Sequence, residues 1–349
     1  MVEGEDRLTR SQDPRPPFPY RSEDVRYSNP ADGVELVGTL TIPEGTGPFP
    51  AAVLISGSGQ QDRNCEIFDH RLFLVLADHL SRRGIAVLRV DDRGVGGSTD
   101  IGPPGESTSF DFAGDVESGV SYLLGRSEIR ADSVGLIGHS EGGMIAPIVA
   151  ARDERIAFIV LLAGPGMPVD QLLLIQNESM MRSGGASEDV ITQAAEDERK
   201  IFDLLLDDSV PADKATEQLI VMLRGSPLIT AEAADDRELE LRAFVDKIDT
   251  PWFRTFLAYD PGPTLRRVRC PVLAINGTMD LQVTVENLDW ISSSLDAGGN
   301  ADFTIMPMKG LNHPLQPCRT GRIEEYALID ETMSPEVLDA VGAWITDRH

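Results

Sequence analysis

The sequence predicts an α/β fold with a mostly parallel central sheet, flanked by helices and carrying a helical insertion. Three observations support this prediction: short apolar runs recur along the chain, stretches of helical length separate them, and one long stretch lacks such runs. Short apolar runs bounded by turn residues are typical of strands buried on both faces of a parallel sheet. Strands that alternate with helices form such sheets through right-handed crossovers.

The composition is that of a globular protein with an acidic surface. The chain has 349 residues, of which 41% are hydrophobic and 25% charged, and its net charge is −26. This length corresponds to roughly two domains, or to one large domain with an insertion. A sequence pI near 4.5 argues against nucleic acid or an anionic membrane as partner, because both would repel this surface. No apolar run approaches the roughly 20 residues that a membrane span needs.

The three cysteines indicate neither a disulfide scaffold nor a metal site. Cys65, Cys270 and Cys318 lack the spacing of metal ligands, and an odd number cannot all pair within one chain. We therefore expect no metal and no metal cofactor. The N-terminus has no signal-peptide apolar region. The compartment stays open between the cytoplasm and export after removal of a leader, and a homo-oligomer is possible.

The first half of the chain reads as an arm followed by alternating strands and helices. Residues 1–20 are rich in proline and have no apolar periodicity, which predicts a flexible arm. Residues 21–165 form the first part of the predicted core. Its strands are expected at Val34–Ile42, Ala51–Ile55, Ala86–Val90, Val134–Ile137 and Ala157–Leu162. Its helices are expected at Phe73–Arg83, Phe110–Leu124 and Ser140–Arg152.

Residues 166–262 interrupt this alternation, and residues 263–349 resume it. The interruption contains only helical patterns, which predicts a cap over the sheet. These cap helices are expected at Leu172–Met181, Ile191–Leu206, Lys214–Leu223 and Ala231–Lys247. The second part of the core has strands at Val272–Ile275 and Phe303–Met306, and a last helix that starts at Ser334-Pro335.

The stretch Gly138-His-Ser-Glu-Gly142 has the pattern of a nucleophile elbow. It follows the strand Val134–Ile137 directly and opens a helix, which is the strand–turn–helix setting that such an elbow requires. The glycines keep side chains out of a very tight turn. Ser140 is therefore the predicted nucleophile; the alternative is a glycine-rich turn that holds a phosphate or has no chemical role.

A serine hydroxyl needs a base and a carboxylate to act as a nucleophile at neutral pH. His313 follows the strand Phe303–Met306 on a glycine-containing loop and is the best candidate base. The other histidines lie beside Ser140, before or on a helix, or at the chain end (His139, His70, His79 and His349). Asp280 follows a buried strand at the sheet edge where α/β active sites collect. Asp260 and Asp302 are weaker candidates for the acid, because neither follows a strand closely.

Two backbone N–H groups are needed to hold a tetrahedral oxyanion. One should come from Glu141, the residue after the nucleophile, and the other from the loop after Ala51–Ile55. Ser58 or Gly59 is the expected donor on that loop. Asp91-Asp-Arg-Gly-Val-Gly-Gly-Ser98 is interpreted as a structural turn that ties neighbouring loops together rather than as a catalytic acid pair.

The motifs together resemble the serine esterases of the α/β-hydrolase superfamily, and most closely a bacterial esterase D-like group. The resemblance covers about Tyr20 to Trp344 and is carried by six blocks: SGSGQQDRN at 56–64, FLVLADHLSRRGIAVLRVDDRGVGGS at 73–98, GLIGHSEGG at 135–143, PWFRTFLAYDP at 251–261, PVLAINGTMDLQV at 271–283 and GLNHPLQ at 310–316. It implies an α/β-hydrolase fold with Ser140 as nucleophile, Asp280 as acid and His313 as base. It also implies activity on short acyl esters without a cofactor.

Several hypotheses share this site. The leading one is a serine carboxylic-ester hydrolase that forms an acyl-enzyme on a small neutral ester; a thioesterase, an acyltransferase or a peptidase or amidase would use the same triad. A non-catalytic binding protein with this fold is the hypothesis from another class. The candidate substrate-binding residues lie on the oxyanion loop and on the cap: Gln60, Met180, Met181, Trp252, Phe253, Phe256 and Tyr259. Residues 167–262 carry 20 acidic and 9 basic side chains, so we expect an acidic cap that disfavours anionic substrates.

Overall fold

The computed structural model describes residues 10–99, 102–103, 105–207, 209–224, 226–228 and 234–349. These residues form a sheet of eight strands covered by helices on both faces. The strands, including those of a separate two-stranded hairpin (β4 and β5), are β1 Tyr20–Asn29, β2 Val34–Pro43, β3 Phe49–Ile55, β4 Glu66–Ile67, β5 His70–Arg71, β6 Ala86–Val90, β7 Ile129–His139, β8 Ile159–Leu162, β9 Val272–Gly277 and β10 Phe303–Met308.

The strand order in the large sheet is β1-β2-β6-β3-β7-β8-β9-β10. The strands from β6 to β10 in this order run parallel, whereas β2 pairs antiparallel with both β1 and β6. The register brings the carboxyl ends of the central strands together: Ile55 pairs with Gly138, His139 with Leu162, and Leu162 with Ile275. The loops that follow β3, β7 and β9 therefore leave the sheet side by side.

The described helices are α1 Leu72–Arg82, α2 Ser109–Leu124, α3 Gly142–Ala150, α4 Val169–Ser183, α5 Glu188–Leu206, α6 Ala212–Leu223, α7 Ala234–Ile248, α8 Pro251–Leu257, α9 Pro261–Leu265, α10 Asn287–Ala297, α11 Ile323–Tyr326 and α12 Pro335–Thr346. Helices α2, α3, α9 and α10 cover one face of the sheet, and α1 and α12 cover the other. The central strands are buried on both faces, as their continuous apolar runs predict. Among the described helices, none has the length and apolar character needed to cross a membrane.

Local sequence signals fix the helix that borders the site. Helix α2 begins with a capping box in which Thr108 and Asp111 satisfy each other's backbone groups. This cap places Ser109, the first residue of α2, against the start of α3, where its hydroxyl reaches Glu141. Pro335 occupies the first turn of α12, where the missing N–H costs nothing.

Helices α4 to α9 lie between β8 and β9, which is where the sequence predicts a helical insertion. Helices α5, α6 and α7 share an apolar cluster of their own, which includes Leu205, Leu219 and Leu241. Helix α8 joins this cluster to the sheet layers, since it contacts α2 as well as α4, α5 and α7. Thr250 caps α8 by accepting a hydrogen bond from the backbone N–H of Phe253, and Pro251 starts the helix.

Part of the N-terminal region that the sequence predicts as a flexible arm contacts the rest of the protein. Residues 1–9 of the predicted arm lie outside the described residues; Arg10 and Asp13 are buried, whereas residues 15–19 are exposed. The Arg10 guanidinium donates hydrogen bonds to the carbonyls of Phe68, Ala327 and Ile329. Strand β1 also escaped the prediction, because it lies at the sheet edge and its outward positions are polar. Its apolar positions alternate too sparsely to mark a strand.

Candidate active site

Ser140 lies in a strained turn between β7 and α3. Its φ of 55° is in the left-handed region, which a residue with a side chain rarely adopts. The strain persists because the turn leaves no room for alternatives: a Cβ at Gly138 would overlap the carbonyl of Gly142, and a Cβ at Gly142 would overlap the carbonyl of Ile55. The Ser140 hydroxyl is thereby held at the carboxyl edge of the sheet, on the wall of a cavity.

His313 and Asp280 form a buried pair at the same edge. The Nδ1 atom of His313 lies 2.8 Å from Oδ2 of Asp280, and both side chains are almost fully buried. The other carboxylate oxygen of Asp280 accepts the backbone N–H groups of Gln282 and Val283 at 2.8 and 3.0 Å. Asp280 is therefore fixed in orientation from both sides. Asp260 instead caps α9, and Asp302 forms an ion pair with Arg348.

The loop that carries His313 is closed by its own hydrogen bonds. The side chain of Asn312 accepts the backbone N–H of Gln316 at 2.8 Å and donates to the Gln316 side chain at 3.0 Å. Pro314 lies inside this closed turn, so its missing N–H leaves the loop intact. His313 is buried against the cavity that Ser140 also lines.

His139, to which the sequence assigned no role, contacts the backbone of His313. Its Nε2 atom lies 3.0 Å from the backbone carbonyl of His313, and the two rings are 4.9 Å apart. Burial, reinforced by the neighbouring His313, lowers the pKa of His139 to about 3. The ring is then neutral near pH 7, and because a carbonyl can only accept, Nε2 must carry the hydrogen. The remaining candidates lie away from Ser140: His70 bonds Thr332, and His79 faces Asp339.

The loop after β3 approaches Ser140 from the opposite side. Gly57 and Ser58 line the cavity together with Ser140, whereas Gly59 borders a smaller space behind the loop. Asp92 fastens the loop by accepting hydrogen bonds from the Ser56 hydroxyl and the backbone N–H of Gln61. Burial raises the pKa of Asp92 to about 7.

The turn over residues 91–98 is structural, as the sequence predicts. Asp91 pairs with Arg63 at 2.7 Å, and this arginine belongs to the loop after β3. Arg93 pairs with Asp115 at 2.7 Å and with Asp32 at 2.8 Å. The turn over residues 91–98 therefore connects the loop after β3 to α2 and to the β1–β2 connection.

The side chain of Glu141 is buried, although its residue type usually faces solvent. Its Oε1 atom accepts hydrogen bonds from the Ser109 hydroxyl at 2.6 Å and from Nε1 of Trp252 at 3.0 Å. Burial raises the pKa of this carboxyl group. Glu141, the residue after Ser140, thus contacts both α2 and α8.

A cavity of about 310 Å³ opens above Ser140. Three of the candidate substrate-binding residues, Trp252, Phe253 and Phe256, line it from α8. Several further lining residues were not predicted from the sequence. They come from α4, the loop after β3 and the loop after β9: Leu172, Leu173, Gln176, Gln61, Cys65, Gln282 and Val283. The spacing of Leu172, Leu173 and Gln176 on one face of α4 is the signal that could have found the α4 wall.

Four candidate substrate-binding residues are not among the residues that line this cavity. The Gln60 side chain donates to the backbone carbonyl of Arg93 at 2.8 Å. Met180 lines a separate surface pocket beside Arg322, and Met181 follows it near the end of α4, beyond Gln176, the last cavity-lining residue of that helix. The Tyr259 hydroxyl bonds Thr264, and its ring packs edge-on against Phe110.

The parallel sheet, the strained serine turn and the His–Asp pair define an α/β hydrolase. The model of the alpha/beta hydrolase family matches residues 52–319, so the chain belongs to this family. Among described residues, no group of three or more His, Cys, Asp or Glu side chains could hold a metal ion.

Within the family the chain is similar to esterases. Esterase EstD of Thermotoga maritima is 25% identical over 321 residues, which are 89% of this chain and 65% of that protein. The putative hydrolase YtaP of Bacillus subtilis is 32% identical over 155 residues, or 40% of this chain and 50% of YtaP. The chain therefore spans less than two thirds of these relatives. The crystal structure of the Pyrococcus furiosus esterase Pf2001 shares the fold with a TM-score of 0.56 at 15% identity, covering 99% of both chains.

Proposed function

We propose that the protein is a serine carboxylic-ester hydrolase that works through an acyl-enzyme on Ser140. One observation carries this proposal: the buried His313–Asp280 pair, joined at 2.8 Å, shares a cavity with a serine held at a positive φ. A strained serine beside an oriented imidazole is the arrangement that nucleophilic catalysis needs. The similarity to EstD, whose name describes an esterase, supports the same reaction class.

In the acylation step, Oγ of Ser140 attacks the ester carbonyl while Nε2 of His313 takes its proton. Asp280 holds Nδ1–H of the ring, which fixes the tautomer and stabilises the imidazolium. His313 then gives the proton to the leaving alcohol as the carbon–oxygen bond breaks. Water repeats the sequence on the acyl-enzyme, which releases the acid and restores Ser140.

The tetrahedral oxyanion is assigned to the backbone N–H groups of Glu141 and Ser58. Glu141 is the N-cap of α3, where N–H groups have no acceptor within the helix and the helix dipole favours negative charge. Ser58 is preferred to Gly59 because it lines the cavity beside Ser140, whereas Gly59 does not.

The cavity wall supports a small neutral acyl ester as substrate. Its described lining residues are mostly apolar and include no lysine or arginine. The only described carboxyl group on the wall, that of Glu141, is already hydrogen-bonded to Ser109 and Trp252. A free carboxylate that could hold a substrate ammonium, as an aminopeptidase needs, is therefore not among these residues.

The predicted division of the chain into core and cap, with residues 166–262 as the cap, remains part of the proposal. In this division the acidic residues 166–262 cover the site, and we expect them to repel anionic substrates. Comparing kcat/KM for matched neutral and anionic esters at low salt tests this. Equal kcat/KM values for the two esters would show that the charge of residues 166–262 does not affect which substrates are accepted.

Replacing the nucleophile tests the reaction class. We expect Ser140→Ala to lower kcat for p-nitrophenyl butyrate at least 10³-fold, since it removes the attacking atom. Ser292→Ala on α10, outside the cavity, is the matched control. Wild-type turnover by Ser140→Ala would overturn the proposal. A fluorophosphonate that fails to label Ser140 in folded protein would instead favour a non-catalytic binding protein.

The triad alone does not separate an esterase from a thioesterase, an acyltransferase or an amidase, since all four use it. A panel of matched oxygen ester, thioester and amide substrates decides among them. We expect the oxygen ester to be turned over with the highest kcat/KM. An acyltransferase would instead show product partitioning toward an added alcohol at millimolar concentration.

A further inference from the structure

The carboxyl group of Glu141 connects three separate parts of the molecule. It belongs to the N-cap residue of α3, accepts a hydrogen bond from Ser109 at the start of α2, and accepts another from Trp252 on α8. Both donors share a single oxygen atom, Oε1. Ser58 of the oxyanion loop also interacts with this carboxyl group. The side chain is only 2% exposed, so these contacts are shielded from water.

Burying a carboxyl group in these surroundings costs stability. The groups that bond it are two hydroxyls and an indole N–H, which are neutral. Asp92 adds a second, half-buried acid nearby, and the guanidinium of Arg93 is occupied by Asp115 and Asp32. A buried carboxyl without a cationic partner destabilises the fold. A role in the site is a physical reason for keeping it.

Trp252 is held in place both by its backbone and by its ring. Its backbone N–H donates to the carbonyl of Gly105 at 2.9 Å, and its ring stacks on Phe256 with centroids 5.4 Å apart. The ring forms part of the cavity wall. A substrate that presses on this wall therefore presses on the donor to Glu141.

We propose that the Glu141 side chain is a positioning residue that couples the seating of α8 to the geometry of the oxyanion hole. The backbone N–H of the same residue is the oxyanion donor, so a displacement of the carboxyl group displaces the donor. Ser109 anchors the carboxyl to the core, and Trp252 links it to the cap. The inference rests on the proposed function, because it assumes that an oxyanion forms at this N–H.

The inference predicts that the Trp252 N–H acts on turnover and not on ground-state binding. Trp252→Phe keeps an aromatic ring on the cavity wall and removes the N–H donor together with the five-membered ring that carries it. We expect it to lower kcat for p-nitrophenyl butyrate about tenfold and to change KM less than threefold. A loss confined to kcat is the signature of an interaction made in the transition state. Trp290→Phe, an exposed tryptophan on α10, is the matched control and should leave both constants unchanged.

A double-mutant cycle tests whether Glu141 carries the coupling. Glu141→Gln keeps an oxygen that can accept from both Ser109 and Trp252, so we expect its kcat to stay within about threefold of wild type. Glu141→Ala removes the acceptor, and we expect a loss of about 10²-fold. In the Glu141→Ala background, adding Trp252→Phe should cost less than twofold, because the link is already broken. If Glu141→Ala does not fold, Glu141→Met, which also lacks the acceptor but fills more of the space, replaces it in the cycle.

Three results would overturn the inference: a KM increase without a kcat change in Trp252→Phe, a tenfold loss that persists in the Glu141→Ala background, or a Glu141→Gln variant as weak as Glu141→Ala. Fluorophosphonate labelling separates these from failure of the proposed function. If Ser140 of the wild type does not react, the ester-hydrolase assignment is at fault. If the wild type reacts and the variants show no coupling, only the role of Glu141 is wrong.

Discussion

The carboxyl edge of the sheet and the helices that cover it are built under different constraints. At the edge, Ser140 lies between two glycines whose Cβ positions are filled by backbone atoms, and Asp280 is held by two N–H groups as well as by His313. In the cap, α5 to α7 pack around a separate apolar cluster of leucines and isoleucines. The edge tolerates little change because backbone meets backbone. The cap can vary in side-chain size without losing its architecture.

The difference is sharpest for two glycine substitutions. Gly138→Ala would drive a methyl group into the carbonyl of Gly142, and neither side can move without disturbing β7 or α3. We expect it to lower the free energy of unfolding by about 4 kcal/mol or more, or to prevent folding. Gly184→Ala at the end of α4 has a helical φ of −73°, and its Cβ would meet carbonyl oxygens at 3.3 Å, so we expect a change within about 1 kcal/mol. Urea denaturation measures both; equal losses would contradict the contrast.

A substitution of His139 tests whether its contact with the His313 carbonyl helps to hold His313 in position. His139→Ala removes the donor to the His313 carbonyl, and we expect kcat to fall about 10- to 100-fold, since small displacements of a base are costly. Because the pKa of His139 is about 3, the ring stays neutral above pH 5, and the acid limb of kcat/KM should keep its midpoint. His79→Ala is the control. A lost acid limb in His139→Ala would mean that His139, not His313, is the base.

The sequence predicted the edge well because its constraints are local. A strand, a glycine-flanked serine and a helix follow one another directly between Ile129 and Ala150, and the strand-ending positions of Asp280 and His313 follow from the parallel topology. The cap was harder. Helical periodicity shows that a face is buried, but not whether it faces the cavity or another helix. For example, Phe256 lines the cavity, whereas Tyr259, three residues further along the chain, bonds Thr264.

The interior of the cap was beyond prediction for a different reason. The contact of Trp252 with Glu141 joins residues 111 positions apart, and it depends on the angle at which α8 meets α2. Likewise, the packing of Arg10 against the carbonyls of Ala327 and Ile329 has no signal in a proline-rich segment. Long-range polar contacts of this kind leave no periodicity in the chain.

Two cap substitutions separate cavity wall from cap surface. Phe253→Ala removes a ring that lines the cavity, whereas Met180→Ala changes a separate pocket. We expect Phe253→Ala to raise the ratio of kcat/KM for p-nitrophenyl octanoate over butyrate about tenfold, because hydrophobic pockets discriminate by roughly this factor. Met180→Ala should leave the ratio unchanged. A shift in Met180→Ala, or none in Phe253→Ala, would place the acyl chain elsewhere.

The smallest expected effect concerns a buried carboxyl in the cap. Glu198 on α5 is 6% exposed and accepts a hydrogen bond from Asn177 on α4 at 2.5 Å. Burial, together with Glu178, raises its pKa to about 7 from an ordinary 4.5, while Arg199 opposes the rise. The folded state therefore binds this proton more tightly than the unfolded state. The contribution of Glu198 to stability is therefore fully present below about pH 4.5 and is lost as the pH rises through about 7.

Glu198→Gln keeps the acceptor for Asn177 and removes the titration. At pH 8 we expect the variant to be more stable than wild type by about 2 kcal/mol, or about 3 °C in Tm, and at pH 4.5 the two should melt together. Glu196→Gln, an exposed carboxyl on the same helix, removes the same charge and should show no such pH dependence. If the Tm curves of Glu198→Gln and wild type ran parallel from pH 4.5 to pH 8, Glu198 would be ionised in the folded protein at every pH in that range. The α4 wall of the cavity would then be insensitive to pH through this group.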